Sequence, residues 1–324
     1  MRRCGTDEPI KAVFFGLGGH TGYDHENPLI PAIYKDAIPK PCVQFDMPLW
    51  RELLKRAAEA GMNTVVIELA EGVRYESHPE LAIRGSWSTN RLKREIAFLR
   101  TLGLTPVPLI NFSACHDFWL GKYARMVSTD AYYAVVKDLI DEVSELFGRP
   151  KLFHLGMDEE QYHDQEHYEY VVIRQYDLWW RDFYFMVDLV ERTGARAWVW
   201  SDYLWHHPDM FWKKMPKGVL QSNWYYGAEF GLSKRNKFAD RVRCYMELDE
   251  HGYDQVPTAS NFLNDINVER TVRFCARNVA RKRLKGFLAA AWKPTIEARR
   301  GDHVELIKQA GRAFSRWDGG RGRA

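Results

Sequence analysis

The chain has 324 residues, 46% of them apolar and 14% aromatic, with a net charge of +3. That length fits two small domains or one large barrel, and so much apolar material builds a large core easily. The near-neutral charge, with basic and acidic residues interspersed, argues against a nucleic-acid partner. No stretch approaches the roughly 18 consecutive apolar residues of a membrane span, so no membrane partner is expected.

The cysteines are odd in number, widely spaced and in no CxxC pattern, which indicates reduced thiols in a reducing compartment. They are Cys4, Cys42, Cys115, Cys244 and Cys275. The first residues carry charges without the apolar region of a secretion signal, so we expect a cytoplasmic location unless a leader was removed. The oligomeric state is left open, with a homodimer as one alternative.

Short apolar runs alternate with amphipathic helical stretches along the whole chain. Strands are predicted near 12–18, 63–69, 104–111, 151–160, 196–200, 218–222, 256–259 and 286–291. Helices are predicted near 48–60, 90–102, 128–147, 169–192, 209–214, 268–283 and 303–314. This alternation without a break in composition predicts the α/β class, as a single (β/α)8 TIM barrel over 1–324 with a frayed tail at about 318–324. A doubly wound open sheet is the alternative, but the glycines at 16–22 do not form its phosphate-binding loop.

The fourth predicted strand has an unusual polarity. Apolar residues alternate with polar or absent side chains from Phe153 to Asp158, so one face suits burial beneath helices. The other face is polar, although both faces of a parallel strand are normally apolar. The strand ends in the carboxylates Asp158, Glu159 and Glu160. Two adjacent acids in a confined pocket cannot both ionise freely, so one can supply a general acid. The alternative is a solvated acidic loop, and Glu160 is expected to be solvated.

Polar and aromatic residues follow most of the predicted strands. In a barrel of this type, catalytic groups lie at the carboxyl ends of the strands and in the loops that follow. The candidate substrate contacts are His20, Asp24, Asn111, His116, Asp117, Trp200, Asp202, Trp224, Tyr225, Tyr226 and Trp292. A carbohydrate pocket requires such a combination of aromatic faces, hydrogen-bonding groups and carboxylates that flank the glycosidic bond.

The segment 153–159, Phe-His-Leu-Gly-Met-Asp-Glu, resembles the His-x-Gly-Gly-Asp-Glu signature of the family 20 glycoside hydrolases, the β-N-acetylhexosaminidases. The resemblance implies a retaining glycosidase that cleaves a terminal, β-linked 2-acetamido sugar without a cofactor or metal. Asp158 would orient the acetamido group, and Glu159 would protonate the leaving oxygen. The acetamido oxygen of the substrate would then act as the nucleophile.

The resemblance also implies which aromatic residues contact the sugar. Trp200, Trp224 and Trp292 would wall the acetamido pocket. Tyr225 or Tyr226 would donate a hydrogen bond to the acetamido carbonyl.

Other matches to the family are looser. His116 and Asp117 lie where the family carries a histidine after the third strand. Met157 replaces the second glycine of the signature. The first strand lacks the arginine that binds the outer hydroxyls, so His20 or Asp24 would take its place.

Three other functions remain open. A glycosidase acting on a sugar without an acetamido group would use a second carboxylate as nucleophile, with Glu68 or Asp202 the first candidates. A non-catalytic sugar-binding barrel would keep the tryptophans but would not need an Asp-Glu pair. A metal-dependent barrel hydrolase or isomerase is the third.

The residues available to such a metal site are His20, Glu68, His116, His154, His163, Asp158 and Asp202. However, no His-x-His pair ends the first strand and no HExxH motif occurs. His154 and Asp158 would lie about 13 Å apart along an extended strand, too far for one ion. No metal site is therefore predicted.

Overall fold

The computed structural model describes residues 8–320 of the chain. An 8-stranded parallel sheet forms its centre. The strands are β1 (Ile10–Gly16), β2 (Thr64–Glu68), β3 (Thr105–Leu109), β4 (Leu152–His154), β5 (Arg196–Trp200), β6 (Leu220–Ser222), β7 (Thr258–Ser260) and β8 (Gly286–Ala290). Their order is β6-β5-β4-β3-β2-β1-β8-β7. Parallel bridges from Gln221 to Gln255 and from Trp224 to Thr258 join the two outer strands and close the ring. The predicted (β/α)8 barrel is confirmed.

Helices surround this sheet. They are α1 (Met47–Glu59), α2 (Thr89–Thr101), α3 (Asp130–Leu146), α4 (Tyr176–Arg192), α5 (Tyr203–His206), α6 (Pro208–Lys214), α7 (Ala239–Glu250), α8 (Asn267–Asn278) and α9 (Arg300–Gly320). Side-chain caps begin two of them, because the hydroxyls of Ser88 and Thr129 accept backbone hydrogen bonds at the starts of α2 and α3.

The sequence did not predict α5 or α7. In α7, arginines on both sides of Val242 obscure the apolar pattern. Val242, Tyr245 and Leu248 are nevertheless buried, and their spacing of three residues is that of a helical stripe.

Alternation along the strands produces two cores. Phe14 points into the barrel, where it belongs to a small cluster with Trp198 and Leu288, whereas Phe15 packs in a larger cluster between strands and helices. The polar face predicted for the fourth strand also points into the barrel. The ring centroid of His154 lies 5.0 Å from that of Trp198. The barrel interior is therefore filled by side chains below the ends of the strands.

Helix α9 extends into the predicted frayed tail, and the described cysteines form no disulfide. Helix α9 continues to Gly320, so the predicted frayed tail is helical over its first three residues. Residues 321–324, and Cys4 among residues 1–7, lie outside the described residues. Cys42, Cys115, Cys244 and Cys275 are free. Within residues 8–320, no helix combines the length and the apolar character needed to cross a bilayer.

Candidate active site

Strand β4 ends earlier than its alternating pattern predicts, and the chain then turns. Gly156, Met157 and Glu159 all adopt positive φ angles, of 72°, 72° and 52°. A Cβ atom at Gly156 would lie 1.9 Å from Asn111 Oδ1, so glycine is required there. Positive φ is uncommon for methionine and glutamate, and such strained residues cluster at functional sites. Because of this turn, Asp158 and Glu159 line the same cavity.

Asn111, two residues after β3, holds the turn in place. Its Nδ2 donates to Asp158 Oδ1 at 2.8 Å. Its Oδ1 accepts from the backbone N–H groups of Ser113 and Met157, at 3.0 and 3.2 Å. The Ser113 hydroxyl donates to the backbone carbonyl of Asp158. The Asp158 carboxylate is therefore fixed in position. Burial raises its pKa, and the charge of His116 opposes that effect.

Glu159 faces His116 across 3.1 Å, measured from Oε2 to Nε2. The imidazole Nδ1 donates to the carbonyl of Thr21 at 2.7 Å, which leaves Nε2 directed at the carboxylates. Burial alone would lower the pKa of His116, but Asp158 and Glu159 raise it well above the usual value. Burial likewise opposes ionisation of Glu159, but the hydrogen bond and charge of His116 hold its pKa below the usual value. The exchangeable proton of the pair therefore resides on His116.

Asp202, just after β5, lies beneath Glu159. Its Oδ2 accepts from the backbone N–H of Glu159 at 2.8 Å, and its Oδ1 accepts from Trp224 Nε1 at 3.2 Å. Burial raises the pKa of Asp202 well above the usual value, and the neighbouring Asp158 adds to the effect. Asp202 thus joins the acidic turn to the aromatic wall.

The cavity above these groups has a volume of about 600 Å³ and lies at the carboxyl ends of the strands. Trp200, Trp224, Tyr226 and Trp292 form an aromatic wall. The rings of Trp224 and Tyr226 stack with centroids 5.1 Å apart, and Trp292 meets Trp200 edge to face at 5.7 Å. Flat apolar faces beside carboxylates suit the binding of a sugar ring.

His20 lies between His116 and Trp292, with ring centroids 4.7 Å from each. Its Nδ1 is 3.1 Å from the buried carboxylate of Glu68. This contact fixes the imidazole at the cavity wall.

Glu71, in the short turn that follows β2, also lines the cavity. Its Oε1 accepts from the backbone N–H of Gly19 at 2.8 Å, and its Oε2 is buried without a hydrogen bond from any described residue. Burial raises the pKa of Glu71 to about 7.

The candidate substrate contacts divide into two groups. Those that line the cavity are His20, His116, Trp200, Trp224, Tyr226 and Trp292. Those that do not are Asp24, Asn111, Asp117, Asp202 and Tyr225. Asn111 and Asp202 support the carboxylates from below, as described above.

The other three are displaced for local reasons. Asp24 accepts from the backbone N–H of Glu169 at 3.0 Å and so holds the loop before α4. Asp117 is buried at the start of a short 3₁₀ turn, and burial raises its pKa. Tyr225 packs against Phe230 with ring centroids 5.3 Å apart, so Tyr226 is the tyrosine of the cavity.

The prediction that Glu160 is solvated is wrong. Glu160 is buried and forms an ion pair with Arg174, whose Nε donates to Glu160 Oε2 at 3.2 Å. The backbone N–H of Ala114 donates to Glu160 Oε1 at 2.8 Å. The consecutive carboxylates therefore serve different purposes, and the third anchors the loop.

Potential metal ligands approach one another at one place among residues 8–320. Donor atoms of Cys115, His116 and Glu159 lie within 4.8 Å of each other. A metal would have to displace protons that this site retains, since burial raises the pKa of Cys115 and the carboxylates raise that of His116. His154, another candidate ligand, accepts from the Gly156 N–H inside the barrel.

No protein-family model matches the chain, and no curated protein matches its sequence. Solved structures do match, and the described chain has the (β/α)8 barrel found in β-N-acetylhexosaminidases. It is similar to the β-N-acetylhexosaminidase of Bacteroides fragilis, with a TM-score of 0.61 at 16% identity over 93% of this chain and 65% of that one. It is also similar to the exo-β-N-acetylglucosaminidase of Vibrio harveyi in complex with N-acetylglucosamine, with a TM-score of 0.64 at 14% identity over 94% and 54%.

Dispersin B is a third similar structure, with a TM-score of 0.56 at 12% identity over 84% of this chain and 96% of that one. The chain spans between half and two thirds of the length of the first two proteins. The resemblance seen in the signature segment thus extends to the whole fold.

Proposed function

We propose that the protein is a glycoside hydrolase that releases a terminal, β-linked 2-acetamido sugar by a retaining, substrate-assisted mechanism. The observation that carries the proposal is the turn after β4, which brings Asp158 and Glu159 into one aromatic cavity. The likeness of the barrel to solved β-N-acetylhexosaminidases supports it.

The first step requires two carboxylates with separate tasks. Asp158, held by Asn111, accepts a hydrogen bond from the acetamido N–H and makes the acetamido oxygen more nucleophilic. That oxygen attacks the anomeric carbon, and a carbon–oxygen bond forms as the glycosidic bond breaks. Glu159 transfers its proton to the leaving oxygen. The product of this step is a cyclic oxazolinium ion with Asp158 beside its positive charge.

In the second step, water attacks the anomeric carbon from the side that the leaving group vacated. Glu159 accepts a proton from that water, and the acetamido oxygen leaves the anomeric carbon. The released sugar keeps its β configuration, and both carboxylates return to their starting states.

The general acid must be protonated when substrate is bound. In the free site the proton resides on His116, while the side chain of Glu159 is 37% exposed to solvent. A bound sugar would cover Glu159 and remove that water, which raises the pKa of the carboxyl. The proton can then pass 3.1 Å from His116 Nε2 to Glu159 Oε2.

A second carboxylate nucleophile has less support. Both oxygens of Asp202 already accept hydrogen bonds, and its raised pKa favours the neutral form. Glu68 is buried and paired with His20. Neither carboxylate is free to attack an anomeric carbon.

The test is nitrophenol release from paired aryl glycosides, each 2-acetamido sugar beside its 2-hydroxy counterpart, with and without a chelator. We expect cleavage of the 2-acetamido β-glycosides, unaffected by the chelator and competitively inhibited by a thiazoline analogue of the cyclic intermediate. Cleavage of the 2-hydroxy sugars at equal rates would overturn substrate assistance. Loss of activity in chelator would favour the metal-dependent alternative.

A further inference from the structure

A cation lines the cavity, and its charge acts on Glu159, whose pKa it helps to lower. Arg241, near the start of α7, forms no ion pair with any residue in the range 8–320. Its guanidinium carbon lies 4.2 Å from the ring centroid of Trp205 and 4.9 Å from that of Phe238. Such cation–π contacts hold a guanidinium by its faces and leave its N–H donors available at the edge.

A shared support fixes this arginine in place. The Asn223 side chain donates to the backbone carbonyl of Arg241 at 2.9 Å. The same side chain accepts from Trp205 Nε1 at 2.9 Å. One amide therefore positions both the helix start and the ring beneath the guanidinium. Because the guanidinium is already held in place, binding a ligand costs little conformational entropy.

Arg241 lies close to the proposed general acid. Its guanidinium is 5.9 Å from the ring centroid of Trp224. Trp224 donates to Asp202, which accepts in turn from the backbone N–H of Glu159. The arginine therefore stands at the part of the wall formed after β5 and β6, beside the group that faces the leaving oxygen.

The other charged groups around this position are paired with each other or neutral, and His163 Nε2 lies 3.2 Å from Asp164 Oδ1. The ring of His163 is 5.7 Å from that of His206, and burial lowers the pKa of His206 to about 4, so His206 is neutral near pH 7. Asp164 is occupied by a hydrogen bond from the Gln161 N–H at 3.1 Å.

We propose that Arg241 binds a carboxylate on the sugar that leaves, so that the natural substrate carries an acidic residue next to the cleaved bond. This inference rests on the proposed function, because it requires a leaving group at Glu159. The planar guanidinium can donate two parallel hydrogen bonds to a carboxylate, which makes it selective for that group. A leaving uronic acid or another carboxyl-bearing sugar has this chemistry.

The test compares one disaccharide in two forms, β-N-acetylglucosaminyl-(1→4)-glucuronate and its methyl ester. For the wild type we expect a kcat/KM ratio of acid to ester on the order of 10–100, because the ester lacks the charge that strengthens hydrogen bonds from the guanidinium. In Arg241→Gln the ratio falls to about one, and in Arg241→Lys it is intermediate. Arg243→Gln is the matched control, since Arg243 is exposed on the same helix and does not line the cavity. Its ratio should equal that of the wild type.

Two results would overturn the inference alone. One is equal kcat/KM for acid and ester in a wild-type enzyme that cleaves aryl 2-acetamido glycosides. The other is an Arg241-dependent preference for an aryl N-acetylglucosaminide 6-sulfate over its unsulfated form, with no preference between acid and ester, since the anion would then lie on the cleaved sugar. Failure to release the 2-acetamido sugar from any of these substrates would overturn the proposed function itself.

Discussion

Glu159 and Glu160 are neighbours in sequence but lie in opposite surroundings. Glu159 extends into the cavity, where it meets His116 and solvent. Glu160 is buried, and Arg174 and the Ala114 N–H bind its two oxygens. A carboxylate paired with a buried arginine holds the loop. One that shares a proton with a histidine can change its protonation state. The partners of a carboxylate, and not its place in a motif, decide which task it has.

Glu159→Gln should have the largest effect on activity. The substitution removes the ionisable group but keeps the size of the side chain and a hydrogen-bonding partner for His116. We expect kcat/KM for a disaccharide to fall by about 10²–10⁴-fold, with an unchanged melting temperature, because a general acid contributes this much. Steady-state kinetics and thermal unfolding of the same preparation check it. Wild-type turnover would remove Glu159 from the mechanism.

Glu160→Gln should instead lower the stability of the protein and leave the kcat of the folded fraction unchanged. Arg174 would remain buried with an incomplete partner, so the free energy of unfolding should fall by about 3–5 kcal/mol. Denaturant titration measures this loss, and kcat of the folded fraction serves as the control. If stability is unchanged while kcat collapses, the division between the two glutamates is incorrect.

Glu71 is intermediate between Glu159 and Glu160, because only one of its oxygens is bound by a described residue. Its folded pKa of about 7 lies above the ordinary value of 4.5. Between these pH values the unfolded chain releases the proton and the folded chain keeps it, so the unfolded state binds fewer protons. Stability from this group is therefore fully present below pH about 4.5 and falls as the pH rises towards 7.

Glu71→Gln imitates the protonated form and should therefore remove this decrease in stability between pH 4.5 and about 7. The variant should gain up to about 3 kcal/mol over the wild type at pH 7 and above, with no gain in acid. Unfolding free energies across pH 4–8 test this, with Glu297→Gln, an exposed glutamate, as the control. A gain that is the same at every pH would mean that the proton is not involved.

Asp158→Asn should lower activity less than Glu159→Gln does. The amide still fits beside Asn111 but no longer stabilises a positive charge, so turnover of 2-acetamido glycosides should slow on the order of 10²-fold. Unchanged rates, measured with well-leaving nitrophenol so that protonation by Glu159 is not limiting, would point to another nucleophile.

Much of the barrel could be predicted from local pattern. The strand at 196–200 was predicted at its observed bounds, and the alternation from Phe153 to Asp158 correctly gave the two faces. Both depend on neighbouring side chains along one strand, which the sequence displays directly. The helix α7 was missed because charged residues flank Val242 and Leu248 of its buried stripe, and Arg241 was missed with it.

Other features depended on partners that are distant in the chain. No residue near Glu160 in the sequence indicates that Arg174 forms an ion pair with it, so the burial of Glu160 could not be predicted. The positions of Tyr225 and Tyr226 depend on where the chain leaves β6 after residue 222, and one residue of register decides which ring faces the cavity. The carboxylate of Asp24 is a group that could bind a ligand, but the backbone N–H groups of residues 169–170 already donate hydrogen bonds to it.

The fit between Gly156 and Asn111 has a consequence for recognising distant relatives. Any side chain at 156 would collide with the amide that holds Asp158, so the two positions can change only together. Met157, by contrast, already departs from the glycine of the signature and tolerates its positive φ. A search for other chains with this acidic turn should therefore give most weight to an asparagine two residues after the third strand, paired with a glycine two residues before the acidic pair. Such a search would follow a contact between two neighbouring strands and would not depend on one contiguous motif.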